Sequence, residues 1–357
     1  MLSLQKIEKD DSVMKEHTSR SFYISVLNVM ACIAVIFLHC NGVFWQHPQG
    51  RLWITANMIE AAFYWAVPIF FMNIGVTSLD YRNRYSTKEF LLRRFKKTGI
   101  PFVAWSFIGL FFNMLLQRNF RILSVKEIIS GLVNTEWIAI YWFFIPLFVI
   151  YLSIPVISSI VKENRIKIFG YMIVVGTICN IVLPFLFSLL GITFNEALKF
   201  PVVSGFIIYV LIGYNIHHCN LNKRHFIIAI IAILFGFILQ VAGTMYFTPQ
   251  NGEINRLFKG YLNMPAFIMS VGVFVVGKFI GEKLKQKKLQ KVIYFLSQYT
   301  FGIYLIHIFY VMVIPTICGI NTSSILWRTI GVLFIFSISC LTCFIAKKIP
   351  FLKWLLP

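Results

Sequence analysis

Apolar and polar positions alternate along this chain by whole segments rather than by single residues. Ten mostly apolar runs, near residues 23–45, 53–79, 98–117, 137–160, 168–190, 200–219, 226–247, 261–281, 293–318 and 325–346, are parted by short polar links. A helix needs about 20 apolar residues to cross the hydrocarbon of a bilayer, since each residue advances it by about 1.5 Å. The pattern predicts an all-α fold, a polytopic transmembrane helix bundle of about ten helices. The expected layout is an amino-terminal tail over 1–22, a transmembrane domain over 23–346 and a carboxy-terminal tail over 347–357. The longest outer link, about 118–136, holds Val125-Lys126-Glu127-Ile128-Ile129, which fits a short interfacial helix.

Composition excludes the soluble alternative. The 357 residues are 58% apolar and 13% charged, against roughly half and a quarter in ordinary soluble domains. The net charge of +20 would suit a nucleic-acid partner if it lay on one soluble face. Instead it follows topology. With residues 1–22 in the cytoplasm, 24 of the 33 Lys and Arg fall in inner segments and 8 in outer ones, with Lys278 near an inner helix end. Short cytoplasmic loops collect Lys and Arg, so both termini are expected in the cytoplasm and nucleic acid is not needed. No small-residue cleavage site follows the first run, where Asn41-Gly42-Val43-Phe44-Trp45 stands, so that span is expected to be retained. The seven cysteines lie in or beside apolar runs with no metal-ligand spacing, and no metal is expected.

Ionisable groups inside spans are expensive and mark function by default. His39 lies about 9 Å in from the outer end of span 1. Glu60, the one acid of thirteen inside a span, lies at a similar depth in span 2. The two could meet, the carboxylate orienting the imidazole; alternatively Glu60 is neutral or pairs with Arg51 or Arg328. In span 9, Ser297, Thr300, Tyr304 and His307 share one helix face, either lining the bundle interior or gluing helices together. The stretch Arg93-Arg94-Phe95-Lys96-Lys97 closes the first inner loop, as plain topological anchoring or as a cationic site for the phosphates of a cytoplasmic donor. His217, His218 and His225 sit at an inner helix end and fit an interfacial role. A Gly-x-Ser-x-Gly elbow and a Walker-type loop are both missing.

Several segments, in order, resemble the acyltransferase-3 family of bacterial membrane O-acyltransferases. They are the first span running from Leu27 to Leu38-His39, Val67-Pro68-Ile69-Phe70-Phe71-Met72-Asn73-Ile74-Gly75, the basic cluster followed by Pro101, Trp142-Phe143-Phe144 leading to Ile150-Tyr151-Leu152-Ser153-Ile154-Pro155, and Ser297 with Gly302-Ile303-Tyr304 and His307. The likeness covers nearly the whole chain and is nearest the subgroup containing the O-acetyltransferase of enterobacterial common antigen. It implies acyl-CoA, most simply acetyl-CoA, as the donor and a carbohydrate or lipid-linked glycan as the acceptor, in the bacterial cell membrane. It implies His39 as the base. The residues themselves add Glu60 as a group that could orient it, and His307, Tyr304 or Arg328 as groups that could donate to the oxyanion or bind the acceptor. Arg93, Arg94, Lys96 and Lys97 would hold the CoA, a lysine replacing the second arginine of the family's Arg-x-x-Arg pair. Tyr304, Ser297, Thr300, Arg328 and Trp142 are the residues expected to meet substrate. Asn28 stands where many members carry arginine. The competing functions are a transporter or exporter of a glycan or small solute, and a membrane sensing module.

Overall fold

The computed structural model describes residues 22–249, 252–350 and 352–356. All but the last residue of the expected amino-terminal tail lies outside them. The described residues form helices and no strand. Nine helical segments among them are long and apolar enough to cross a membrane, and a shorter apolar helix makes the tenth. One end of the bundle carries Phe22, the Arg93–Lys97 cluster and Lys347, and is called the basic end below.

The first helix, α1 (Phe22–Cys40), is the axis, with twelve of its nineteen residues buried. The second span is broken into α2 (Gly50–Phe63) and α3 (Ala66–Ser78). The break falls where it must: Pro68 has no N–H for the Tyr64 carbonyl four residues earlier. The third span, α4 (Thr87–Gln117), begins eleven residues before the apolar run. Ser86 accepts a hydrogen bond from the Glu89 amide (3.2 Å) and caps it, so the basic cluster rides on the helix instead of closing a loop. The expected interfacial helix forms as α5 (Val125–Val133), with a reciprocal Ser124–Glu127 cap.

Next come α6 (Phe144–Ile157) and α7 (Lys162–Thr177), the latter continuing through a π turn to α8 (Leu183–Leu189). The helix α9 (Ile207–His217) has only eleven residues, and every one from Ile208 to Tyr214 is buried. Its last carbonyls are gathered by Lys278, whose ammonium donates to Ile216, His217 and Cys219 at 2.6–2.9 Å. That arrangement explains a cation inside a span. By contrast α10 (Lys223–Phe247) buries only Ala229, Gly236, Gln240 and Thr244 and presents the rest of its length outward. It is followed by α11 (Met264–Lys283).

Span 9 departs from expectation. It is two helices, α12 (Lys287–Ser297) and α13 (Thr300–Cys318), parted at Gln298–Tyr299. Ser297 therefore ends one helix while Thr300, Tyr304 and His307 belong to the next, and the polar stripe is not one continuous face. The last span carries a π turn at Trp327–Gly331 before α14 (Val332–Ala346). Beyond it the carboxy-terminal residues fold back onto the bundle. The Trp105 indole donates to the Leu355 carbonyl (2.9 Å) and Leu356 is buried.

The tightest crossing joins α3 to α9. A Cβ added at Gly213 would stand 2.1 Å from the Met72 carbonyl oxygen, and one at Gly75 would stand 1.9 Å from that of Val210. Backbones meet this closely only where side chains are missing. Gly213→Val is expected to abolish the folded, detergent-extractable protein, read as loss of a monodisperse peak in size-exclusion chromatography. A peak of wild-type height would show that the crossing yields more than its geometry indicates.

Candidate active site

At the basic end, α4 places its cationic residues over two adjoining hollows. The outer one, about 820 Å³, is walled by Arg84, Arg93, Arg94, Lys96, Lys97 and Lys347, with Tyr81, Tyr85, Phe90 and Trp354. The inner one, about 420 Å³, reaches between α1, α3, α4, α6 and α13. Arg94, Lys97 and Lys347 line both hollows and form their common wall. Arg93 and Arg94 differ sharply. Arg93 is exposed, paired with Glu89 at 2.8 Å, and lies over Tyr85. Arg94 turns inward, donates to the Ser78 hydroxyl (3.1 Å) and stacks near Phe90 and Tyr151. The inner hollow is lined higher up by Asn28, Asn73, Ser297, Thr300, Phe143 and Tyr304.

Above it stand the two histidines. His39, in the last turn of α1, is half-buried, and its ring centroid lies 5.3 Å from that of His307 at a 40° tilt. His307 is wholly buried. Its Nδ1 faces the carbonyls of Ile303 (3.0 Å) and Tyr304 (2.8 Å). Carbonyls only accept, so the neutral ring must carry its proton on Nδ1. Its Nε2 is then a lone pair, buried and without a partner. Of the two roles open to His307, donating to an oxyanion or binding the acceptor, the neutral ring does not fit the first, because it can only accept at Nε2. Tyr304, one turn earlier, lines the inner hollow and keeps its ring 5.9 Å from that of His307. Its hydroxyl donates to the Ile140 carbonyl. Tyr304 thus links the lining of the hollow to the histidine pair.

Glu60 does not join His39. No hydrogen bond or ion pair links them. Instead its buried carboxylate accepts from Asn41 Nδ2 (3.1 Å), which also donates to the Ala56 carbonyl. Arg328 is buried at the same end and donates to Asn41 Oδ1 (3.4 Å), the Thr55 hydroxyl (3.0 Å) and the Ser323 carbonyl (3.2 Å). It reaches Glu60 only through Asn41, so the direct Glu60–Arg328 alternative is not made either. The cation that acts on Glu60 is Lys259, carried by the link before α11 and only 4% exposed, with no hydrogen-bond partner for its ammonium. Burial pulls that ammonium below the usual lysine range, and the Glu60 carboxylate works against the shift. Neither Asn41 nor Lys259 stands out in the sequence. Asn41 looks like a turn residue, and Lys259 looks like one more outer-loop cation. Trp142, in a 3₁₀ turn before α6, stacks on Tyr261 at 5.5 Å, and no ring contact joins it to either histidine.

The chain matches the family described as "Acyl_transf_3: Acyltransferase domain" over residues 22–344. No curated protein and no solved structure matches it.

Proposed function

Because the chain belongs to the acyltransferase-3 family and is a membrane acyltransferase, we propose that it moves an acetyl group from cytoplasmic acetyl-CoA to a hydroxyl of a cell-surface polysaccharide or its lipid-linked precursor, in a bacterial cell membrane. The basic end is then the cytoplasmic one and both termini lie there. One observation carries this reading: a cation-walled hollow leads inward from that end and stops at Tyr304, immediately beneath two facing histidines.

The chemistry follows from the parts. The phosphates of CoA lie against Arg94, Lys97 and Lys347 while its acyl arm extends into the inner hollow. His39 removes the proton of the acceptor hydroxyl as its oxygen attacks the thioester carbonyl. The C–O bond forms, the C–S bond breaks, and the proton passes to the departing thiolate. His307, its Nδ1 proton held by two carbonyls, offers Nε2 to the proton of the hydroxyl or of His39. Glu60, Asn41, Lys259 and Arg328 form a buried polar network at the opposite end, where an acceptor would arrive, and fix the segment that follows His39.

The test is purified protein in lipid nanodiscs, offered acetyl-CoA with lipid-linked glycans. Release of free CoA that depends on the glycan is expected. Failure to bind or consume acetyl-CoA with every acceptor offered would favour glycan export instead. Within the donor site the two arginines are expected to separate. Arg94→Gln raises the acetyl-CoA KM by roughly tenfold to a hundredfold, the worth of a charge-assisted hydrogen bond. Arg93→Gln, whose guanidinium is already held by Glu89, changes it by less than about threefold, as exposed pairs do. Equal effects would return the cluster to topological anchoring.

A further inference from the structure

Two asparagines in the wall of the inner hollow have a task left open by the basic cluster and the histidines. Asn73 on α3 is only 5% exposed, and its Nδ2 donates to Asn28 Oδ1 on α1 at 2.9 Å. Its own Oδ1 is buried without a partner. Asn28, half-buried, has its amide N–H left over. The pair therefore lines the inner hollow with one acceptor, the buried Asn73 Oδ1, and one donor, Asn28 Nδ2, left without a partner. Exchanging the O and N ends of both side chains leaves the same result, one N–H and one C=O, so the conclusion does not depend on how the amides are assigned.

That complement is the hydrogen-bonding pattern of a secondary amide. The pair stands on the route from the cationic mouth to Tyr304. It is also in line with the histidine. Asn28 and His39 are eleven residues apart, about three helical turns, so they share one face of α1 about 16 Å apart along its axis. A buried amide oxygen without a donor weakens the fold, a cost that a ligand N–H placed there removes. We propose that Asn28 and Asn73 form a subsite that clasps an amide of the pantetheine arm of the donor and so sets how far its thioester reaches toward His39. The proposal rests on reading acyl-CoA as the donor, and it makes both asparagines positioning residues. Thr77, whose hydroxyl donates to the Asn73 carbonyl (2.8 Å), leaves the amide side chain free for this contact.

The experiment compares two ligands by calorimetry on the full chain in nanodiscs: CoA, and adenosine 3′,5′-bisphosphate, which has the phosphates without the arm. For Asn73→Ala and for Asn28→Ala, the CoA Kd is expected to rise about tenfold while that of the bisphosphate stays within twofold. Unchanged bisphosphate binding also reports that the variant is folded. If Asn73→Ala loses both ligands, the half-buried Asn28→Ala decides the matter alone. Equal weakening of both ligands by Asn28→Ala, or no weakening of either, overturns the subsite and leaves acyl-CoA as the donor. A wild-type chain that binds neither ligand overturns the donor reading and the subsite with it.

Discussion

His39→Ala is expected to lower acetyl transfer by roughly 10²- to 10⁴-fold, the span that a positioned general base contributes, while the protein still folds and still binds CoA. The imidazole is half-buried at the end of α1 and its ring packs on His307, so little of the core depends on it. The apolar residues that seat α1, among them Tyr23 beside Gly281 and Leu27 beside Gly277, lie two turns or more away. Glycan-dependent release of CoA from nanodiscs measures the loss, and the melting temperature of the same sample measures the fold. Turnover within a few-fold of wild type would remove His39 from the chemistry.

The second large effect concerns His307, and there activity and stability should move apart. Its Nε2 is a buried acceptor without a donor, which costs about 1–3 kcal/mol in a folded protein. His307→Phe removes that atom and keeps a flat ring in the space. The carbonyls of Ile303 and Tyr304 lose the imidazole N–H but remain within a helix that can satisfy them. Turnover is expected to fall by at least about 10²-fold, with the melting temperature held or raised. A side chain that only glues helices would lose both together. That parallel fall would assign His307 to packing.

The membrane architecture was legible because lipid imposes a length on every exposed helix, and apolar length is a property of the sequence alone. The breaks were less so. The hinge at Tyr64–Trp65 follows from Pro68, and the early start of α4 follows from Ser86 and Glu89; both signals are local but lie inside or outside the apolar runs that define spans. The candidate site was legible as a set of residues and not as a set of contacts. His39 and Glu60 sit on neighbouring spans at similar depth, which made them natural partners. The carboxylate instead turns to Asn41, two residues past His39, and answers a lysine almost 200 residues further on. What brings α1 against α13, and His39 against His307, is packing between segments some 270 residues apart, which no spacing encodes. The proton on His307 Nδ1 likewise depends on two carbonyls aimed at it, a matter of rotamer. Asn28 and Asn73 drew attention in the sequence only as motif positions; their value emerges when each is seen to use half of the other's amide.

The eleven-residue α9 spans about 16 Å, well short of the hydrocarbon layer. Since protein surrounds it and Lys278 ties off its end, bilayer thickness does not dictate its size. Hydrophobic mismatch then acts on this enzyme unevenly. Lipids of longer or shorter chain meet α10, most of whose length faces outward, while the buried α9 is shielded from them. The candidate site, built on α1 beside that buried helix, sits where the thickness of the surrounding membrane reaches least.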